Sequence, residues 1–323
     1  MPNATCPPLS LLTSPDSFAL IMHTLGSIEL PIHLFCGFMI VFKTPTVMKS
    51  MKYPLLYYHF WCSSLDILVT LLMTPYVLLP ELAGFSLGIL RDLGVTASSQ
   101  FFIYAVTYVL VAVSLIGIYE NRFLVIVDPP EFWRKYLRYL FITTNHLIAI
   151  TYFLPVHLSI PYQPIAQKAL LQRMPCLEGF SDILVLAIDD NLMALIDVPL
   201  VSFLIIQMIL YLVFTIRTLV LETRRISHKT SMLRRKFFIS VMIQSAIPLL
   251  ALLGPLLWNL LTMITRVHVQ ALNNLAFMLI GSHGLVSTIS ILTVYEAYRK
   301  EILRMLGIKQ AEEAIVSVNS ISK

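Results

Sequence analysis

The stretch that decides the fold occupies residues 95–119 and reads VTASSQFFIYAVTYVLVAVSLIGIY, followed at once by Glu120-Asn121-Arg122. It contains no charged residue, and a helix needs about 20 mostly apolar residues to cross a hydrocarbon core roughly 30 Å thick. We therefore predict a membrane-spanning helix that meets a charged triplet where it reaches the membrane surface.

Six further apolar runs of similar length share this character. They occupy residues 17–42, 55–79, 137–160, 192–216, 237–261 and 271–298. The chain is 57% hydrophobic and 13% charged, with a mean hydropathy of +0.79, which excludes the soluble globular class. We predict an all-α membrane protein whose seven-helix bundle fills residues 17–298. It lies between an N-terminal segment, residues 1–16, and a tail, residues 299–323, that begins with a short amphipathic helix.

Positive charge is distributed unevenly between the loops. Of the 23 Lys and Arg residues, all but four lie in or beside the first, third and fifth loops or in the tail; the exceptions are Arg91, Lys168, Arg173 and Arg266. Because positively charged loops stay cytoplasmic, the N-terminus is predicted outside and the C-terminus inside. Membrane lipids with anionic headgroups and an acidic partner surface then explain the net charge of +5 better than nucleic acid does.

Two features near the predicted outer surface agree with this orientation. Asn3-Ala4-Thr5 is a glycosylation sequon, which is used only in the lumen of the secretory pathway. Cys6 and Cys176 both fall on the predicted oxidising side. Either they form a disulfide or they are two unrelated free thiols, and the sequence leaves both interpretations open.

Two cytoplasmic features are typical of a signalling receptor. The acid-polar-Arg triplet Glu120-Asn121-Arg122 ends the third of seven spans, where G-protein-coupled receptors commonly carry such a triplet. There the Arg can hold the inactive bundle closed and later meet the G protein; ordinary interfacial charge is the alternative. Arg234, Arg235 and Lys236 belong to a basic loop that suits an acidic or amphipathic partner helix, although the positive-inside rule also accounts for such residues.

Ionisable groups inside the membrane are expensive, about 2.5 to 3.5 kcal/mol for a central Asp. Glu29, Asp66 and His283 lie deepest in the predicted spans. We expect Asp66 to pair with Ser287 or Ser290 of the seventh span and to act as a packing and switching centre. A purely structural hydrogen bond is the alternative.

A ligand pocket is predicted near the outer surface, where aromatic and polar residues recur at helical spacing. The candidates are Gln100, Tyr104, Tyr108, Trp258, Asn259, Asn273 and Asn274. Such residues suit a small-molecule pocket that is mostly aromatic with a few polar groups, and ordinary interhelical packing is the alternative. Pro248 and Gly254-Pro255 place a hinge or a static bend in the sixth span.

Other functional classes fit less well. A zinc hydrolase built on His59, Asp66 and His283 has permitted ligand types, but no HExxH or similar spacing occurs, and we predict no enzyme activity, cofactor or metal. A ligand-gated cation channel resembling the seven-helix insect odorant receptors is the chief alternative, and its N-terminus would be cytoplasmic. A transporter lacks the expected inverted repeat.

Motifs spread over nearly the whole chain resemble those of the nematode serpentine receptors of class h, a branch of the seven-helix chemoreceptor superfamily. The resemblance is carried by Glu29-Leu30-Pro31-Ile32-His33, Phe42-Lys43-Thr44-Pro45, His59-Phe60-Trp61, Leu65-Asp66, Ala83-Gly84, Glu120-Asn121-Arg122, Pro175-Cys176, Gln270-Ala271-Leu272-Asn273-Asn274 and His283-Gly284. The chain departs from the family pattern at Tyr57-Tyr58, at Tyr162 and in the stretch from Tyr295 to Arg299.

The resemblance implies a chemosensory, olfaction-type receptor in the plasma membrane of sensory-neuron cilia. It further implies that a small-molecule ligand acts through a heterotrimeric G protein. On this basis Glu120, Asn121, Arg122 and the basic loop are expected to couple to the G protein.

Overall fold

A computed structural model describes residues 10–177, 180, 182–187, 191–222 and 228–308. Its helices are α1 Pro15–Lys43, α2 Lys49–Ile67, α3 Ile89–Asp92, α4 Ala97–Val127, α5 Arg138–Thr151, α6 Leu154–Leu158, α7 Gln163–Arg173, α8 Asn191–Glu222, α9 His228–Thr265, α10 Gln270–Val294 and α11 Glu296–Met305. Its strands are β1 Pro75–Leu78, β2 Ala83–Ser86 and β3 Leu184–Val185. Five-residue π-helical segments continue α2 to Leu72 and precede α5 from Trp133.

Seven long helices form the bundle. Within the described residues, six helical stretches are long and apolar enough to cross a membrane: Pro15–Lys43, Lys49–Leu72, Ala97–Val127, Trp133–Leu158, Asp197–Leu221 and Gln270–Val294. The remaining long helix, α9, contributes the shorter apolar stretch Leu250–Thr265. The predicted all-α seven-helix bundle is confirmed.

Small residues bring α1, α2 and α10 into close contact. Gly26 of α1 packs against Thr70, where a Cβ on the glycine would lie 2.5 Å from Oγ1. Gly284 of α10 packs against α2, where a Cβ would lie 2.5 Å from Asp66 Oδ2 and 2.7 Å from the Cys62 carbonyl oxygen. Membrane helices associate through such close backbone approaches because lipid gives them little hydrophobic drive.

A three-stranded antiparallel sheet closes one end of the bundle, called the sheet end below. It pairs Tyr76 with Phe85 and Ala83 with Val185. The sequence-based expectation of a helix through residue 79 is therefore wrong. The helix stops at Leu72 because Thr74 takes a left-handed conformation, φ 45°, before the proline that begins β1.

Helix α11 lies at the other end, called the α11 end. Its Glu301 carboxylate lies 2.8 Å from the Lys43 ammonium of α1, and hydrogen bonds from Lys43 and Arg304 lower the pKa of Glu301. Tyr298 is fully buried, its hydroxyl lies 2.8 Å from Thr44 Oγ1, and burial raises its pKa to about 12. These contacts hold α11 against the first loop.

Candidate functional site

A cavity of about 170 Å³ lies beneath the sheet, between β1, α4, α8, α9 and α10. Tyr104 and Tyr108 line it from α4, one helical turn apart, and their ring centroids are 5.9 Å apart. Phe277 of α10 continues the aromatic wall, 6.0 Å from Tyr104. The Tyr108 hydroxyl donates to the Leu252 carbonyl oxygen at 2.8 Å, which ties α4 to α9. The cavity is therefore largely aromatic and apolar.

Two acceptor groups interrupt this apolar wall. Asn259 Oδ1 on α9 is buried, and no described residue gives it a hydrogen bond. Asp197 on α8 is the one charged residue among the described lining residues. No described residue of the lining forms a hydrogen bond or an ion pair with its carboxylate. Sequence reasoning named Asn259 but missed Asp197, although a carboxylate inside the apolar run 192–216 was a visible signal.

Four of the predicted pocket residues do not line this cavity. Trp258 Nε1 donates to Asn273 Oδ1 at 2.9 Å, and Asn273 Nδ2 donates to the Leu79 carbonyl oxygen at 3.3 Å. Asn274 Nδ2 donates to the Leu12 carbonyl oxygen at 2.8 Å, and Gln100 Nε2 donates to the Val95 carbonyl oxygen at 2.7 Å. Gln100, Asn273 and Asn274 thus donate to loop carbonyl groups, and Trp258 supports Asn273. These carbonyl groups lie outside the helices and strands, so they need side-chain donors.

A polar network joins α1, α2 and α10 near the middle of the bundle. Asp66 accepts hydrogen bonds from the backbone N–H groups of Gly284, at 3.0 Å, and Leu285, at 2.7 Å. His283 Nδ1 lies 2.7 Å from its Oδ1, and His33 Nε2 lies 3.3 Å from its Oδ2. Asp66 is fully buried, so these partners replace the water that the carboxylate has lost.

The expected partners of Asp66, Ser287 and Ser290, are not the observed ones. Ser290 Oγ donates to the Val286 carbonyl oxygen of its own helix at 2.8 Å, and Ser287 faces the Tyr58 hydroxyl. The reason is Gly284, because its missing Cβ lets the α10 backbone itself reach the carboxylate. The sequence analysis therefore chose the correct partner helix for Asp66 but the wrong donors, because backbone N–H groups take the place of the serine hydroxyls.

Of the three residues considered for zinc, only Asp66 belongs to the group of possible metal ligands found among the described residues. His59 Nε2 lies 3.0 Å from the His33 carbonyl oxygen, and its Nδ1 lies 3.4 Å from Thr288 Oγ1. Among the described residues, the group able to hold a metal ion is instead Glu29, His33 and Asp66, whose ligand atoms lie within 4.8 Å of one another. Each is at most 3% exposed. A catalytic zinc keeps an open position for water or substrate, so this buried group fits helix packing better than hydrolysis.

The triplet Glu120-Asn121-Arg122 lies inside α4, which continues to Val127. The expectation that the triplet ends the helix is wrong, because the helix stops only where Asp128 adopts a left-handed conformation, φ 51°, before two prolines. All three side chains are at most 7% exposed.

Each member of the triplet faces a different element. Glu120 Oε1 lies 3.1 Å from Arg138 Nε of α5, and Asn121 Nδ2 donates to Met51 Sδ of α2 at 2.7 Å. Arg122 interacts with Tyr295 at the junction of α10 and α11. The triplet therefore fastens α4 to three neighbours at the α11 end.

Several predicted residues lie outside the described part of the structure. Asn3 and Cys6 precede it, and it gives no side chain for Cys176, Arg234 or Lys236. Arg235 is exposed on α9. The glycan, the disulfide and the role of the basic loop stay predictions.

Comparison with known proteins agrees with this architecture. Residues 13–308 match the family model described as "Serpentine type 7TM GPCR chemoreceptor Srh". The chain is also 28% identical to serpentine receptor class H-72 of Caenorhabditis elegans over 325 aligned positions, which cover 98% of this chain and 93% of the relative. The match to the family model covers the seven-helix bundle from α1 to α11. The chain therefore belongs to the Srh family of serpentine seven-transmembrane chemoreceptors.

Proposed function

We propose that this chemoreceptor binds a small molecule in the cavity beneath the sheet and activates a heterotrimeric G protein at the α11 end. The observation that carries the proposal is that α4 contributes to both sites. Tyr104 and Tyr108 line the cavity, and Arg122 lies 18 residues after Tyr104 on the same helix, which corresponds to about 27 Å. A shift of α4 against its neighbours therefore acts at both ends.

In this proposal the sheet end faces outward from the plasma membrane, in a sensory cilium. The four positive residues lie in the loops that are predicted to be outside. Two of them pair with nearby carboxylates: Arg173 with Glu81 at 2.8 Å and Arg91 with Asp182 at 3.9 Å. The remaining Lys and Arg residues lie in the sequence segments that the positive-inside rule assigns to the cytoplasmic side. With the sheet end outward, the cavity lies in the outer half of the receptor and the α11 end faces the cytoplasm.

The conformation described here suits an inactive state. Arg122 is 1% exposed and interacts with Tyr295, so a partner protein meets it only after α9 or the α10–α11 junction moves. Pro255 of α9 lines the cavity, where a proline removes a helical hydrogen bond. A ligand that favours a different bend at this proline shifts the population towards the open packing.

The decisive experiment replaces Arg122 in a receptor that responds to a compound found by screening small molecules with a G-protein readout. We expect Arg122→Gln to abolish most ligand-stimulated nucleotide exchange while surface expression is retained. The matched control is Arg134→Gln, because Arg134 lies at the same end in an exposed ion pair with Asp128. Full activation after neutralisation of Arg122 together with Arg234, Arg235 and Lys236 contradicts the proposal.

A further inference from the structure

We propose that the ligand of the cavity is a small organic amine, protonated at neutral pH, whose ammonium group pairs with Asp197. This inference rests on the proposed function only in taking the cavity as the ligand site. The apolar part of the amine fills the aromatic side of the cavity, which is formed by Tyr104, Tyr108 and Phe277.

The first argument for an amine is the negative charge of the Asp197 carboxylate in the cavity lining. Asp197 has no hydrogen bond or ion pair with any described residue, and the neighbouring residues 188–196 contain no Lys or Arg. Arg91 and Arg173, the paired cations of the sheet end, are engaged by Asp182 and Glu81. A carboxylate in an apolar, membrane-level cavity without a cation is unfavourable, and a cationic ligand supplies the missing partner.

The hydrogen-bonding groups carry the second step. Asn259 Oδ1 is a buried acceptor to which no described residue donates, and the Tyr108 hydroxyl already donates its proton to the Leu252 carbonyl oxygen. The described lining therefore offers two acceptor groups, the Asp197 carboxylate and Asn259 Oδ1, beside two donor groups, the Tyr104 hydroxyl and Asn259 Nδ2. A primary ammonium has three donors and no acceptor, which suits the two acceptor groups. A carboxylic acid meets repulsion from Asp197, and a neutral alcohol leaves the carboxylate charge uncompensated.

The third argument is the volume of the cavity and the aromatic rings that line it. A volume of about 170 Å³ is close to that of an engineered cavity of about 150 Å³ that holds benzene. The cavity therefore takes one ring or a short alkyl chain. The ring faces of Tyr104 and Tyr108 also attract a nearby cation. The ligand class is a single-ring or short-chain amine.

The test measures binding to the purified full-length receptor in lipid nanodiscs by calorimetry. The probes are butylamine, benzylamine and 2-phenylethylamine, each compared with the alcohol that replaces the amine by a hydroxyl. We expect at least one amine to bind roughly tenfold more tightly than its alcohol. Equal binding of amine and alcohol, or no binding by any of the three amines, overturns the proposal.

A variant assigns the effect to the carboxylate. Asp197→Asn is expected to weaken amine binding roughly tenfold and to leave alcohol binding unchanged. The control Asp182→Asn removes an exposed carboxylate at the same end and is expected to change neither. Unchanged amine affinity in folded Asp197→Asn receptor overturns the proposal, and the comparison of amine with alcohol on the wild-type receptor remains decisive if that variant fails to fold.

The outcomes separate the two proposals. If neutral molecules bind and activate the G protein while amines do not, the amine assignment fails and the proposed function stands. If an amine binds through Asp197 but nucleotide exchange is unaffected by Arg122→Gln, the ligand assignment stands and the proposed coupling fails.

Discussion

At the scale of single residues, the two buried carboxylates near the middle of the bundle differ in their partners. Asp66 has two backbone donors and two histidines within 3.3 Å. Both side-chain oxygens of Glu29 are buried, and within the described part of the chain neither has a hydrogen-bond partner. A buried carboxylate is stable when it is satisfied and costly when it is not, so the two residues should respond differently to neutralisation.

We expect Asp66→Asn to destabilise the receptor by about 2 kcal/mol, because an amide N–H₂ then faces the N–H donors of Gly284 or Leu285. Glu29→Gln is expected to leave the midpoint of thermal unfolding unchanged or higher, because the described residues give its side-chain oxygens no hydrogen bond that the substitution could remove. Thermal unfolding of the purified receptors measures both. A loss in Glu29→Gln as large as that in Asp66→Asn contradicts the difference in partners.

At the scale of helices, two helices approach each other closely where one of them carries a glycine at the contact. Gly284 lets α10 touch α2, and a Cβ there meets the carboxylate of Asp66 and the carbonyl oxygen of Cys62. A Cβ added to Gly117 of α4, in contrast, would meet no described atom within 4 Å beyond its own stretch of helix. A substitution at Gly284 therefore tests close packing between helices, whereas a substitution at Gly117 tests helix propensity alone.

We expect Gly284→Ala to destabilise the bundle by about 1–3 kcal/mol through overpacking against the backbone of α2. Gly117→Ala is expected to be neutral or stabilising by up to about 1 kcal/mol, because alanine is the better helix former. Thermal unfolding of the two variants provides the comparison. Equal effects at both positions refute the argument from close packing.

At the scale of the whole molecule, orientation decides which end senses and which end signals. The cavity lies at the sheet end and the triplet at the α11 end, so a reversed receptor exchanges their roles. The channel alternative has a cytoplasmic N-terminus, which makes topology a direct test of function.

We expect Asn3 to carry a glycan and an N-terminal epitope tag to be stained on intact cells. Asn3→Gln should abolish the glycosidase-sensitive mobility shift on a gel, and a C-terminal tag should be stained only after permeabilisation. Staining with the opposite pattern rejects the proposed orientation and favours the channel.

Much of the architecture was predictable because membrane helices obey strong local rules. The apolar lengths predicted seven helices, and Tyr104, Tyr108 and Asn259 of the predicted set do line the cavity. The errors in the element boundaries have two causes. Residues 73–79 are as apolar as the helix before them, and hydropathy does not distinguish a buried strand from the end of a span. The length of α4 was underestimated because the prediction ended the helix at the first charges, which tertiary contacts bury.

The sequence by itself determined the class of protein, the number of helices and the expected orientation, because burial in lipid and the positive-inside rule act on each segment separately. Only the tertiary structure decided that Asp66 meets the α10 backbone, that Glu120 meets Arg138, and that Asp197 lines an aromatic cavity. Those facts depend on which helix faces meet, and a pairing between residues distant in the chain is set by packing geometry that no single segment contains.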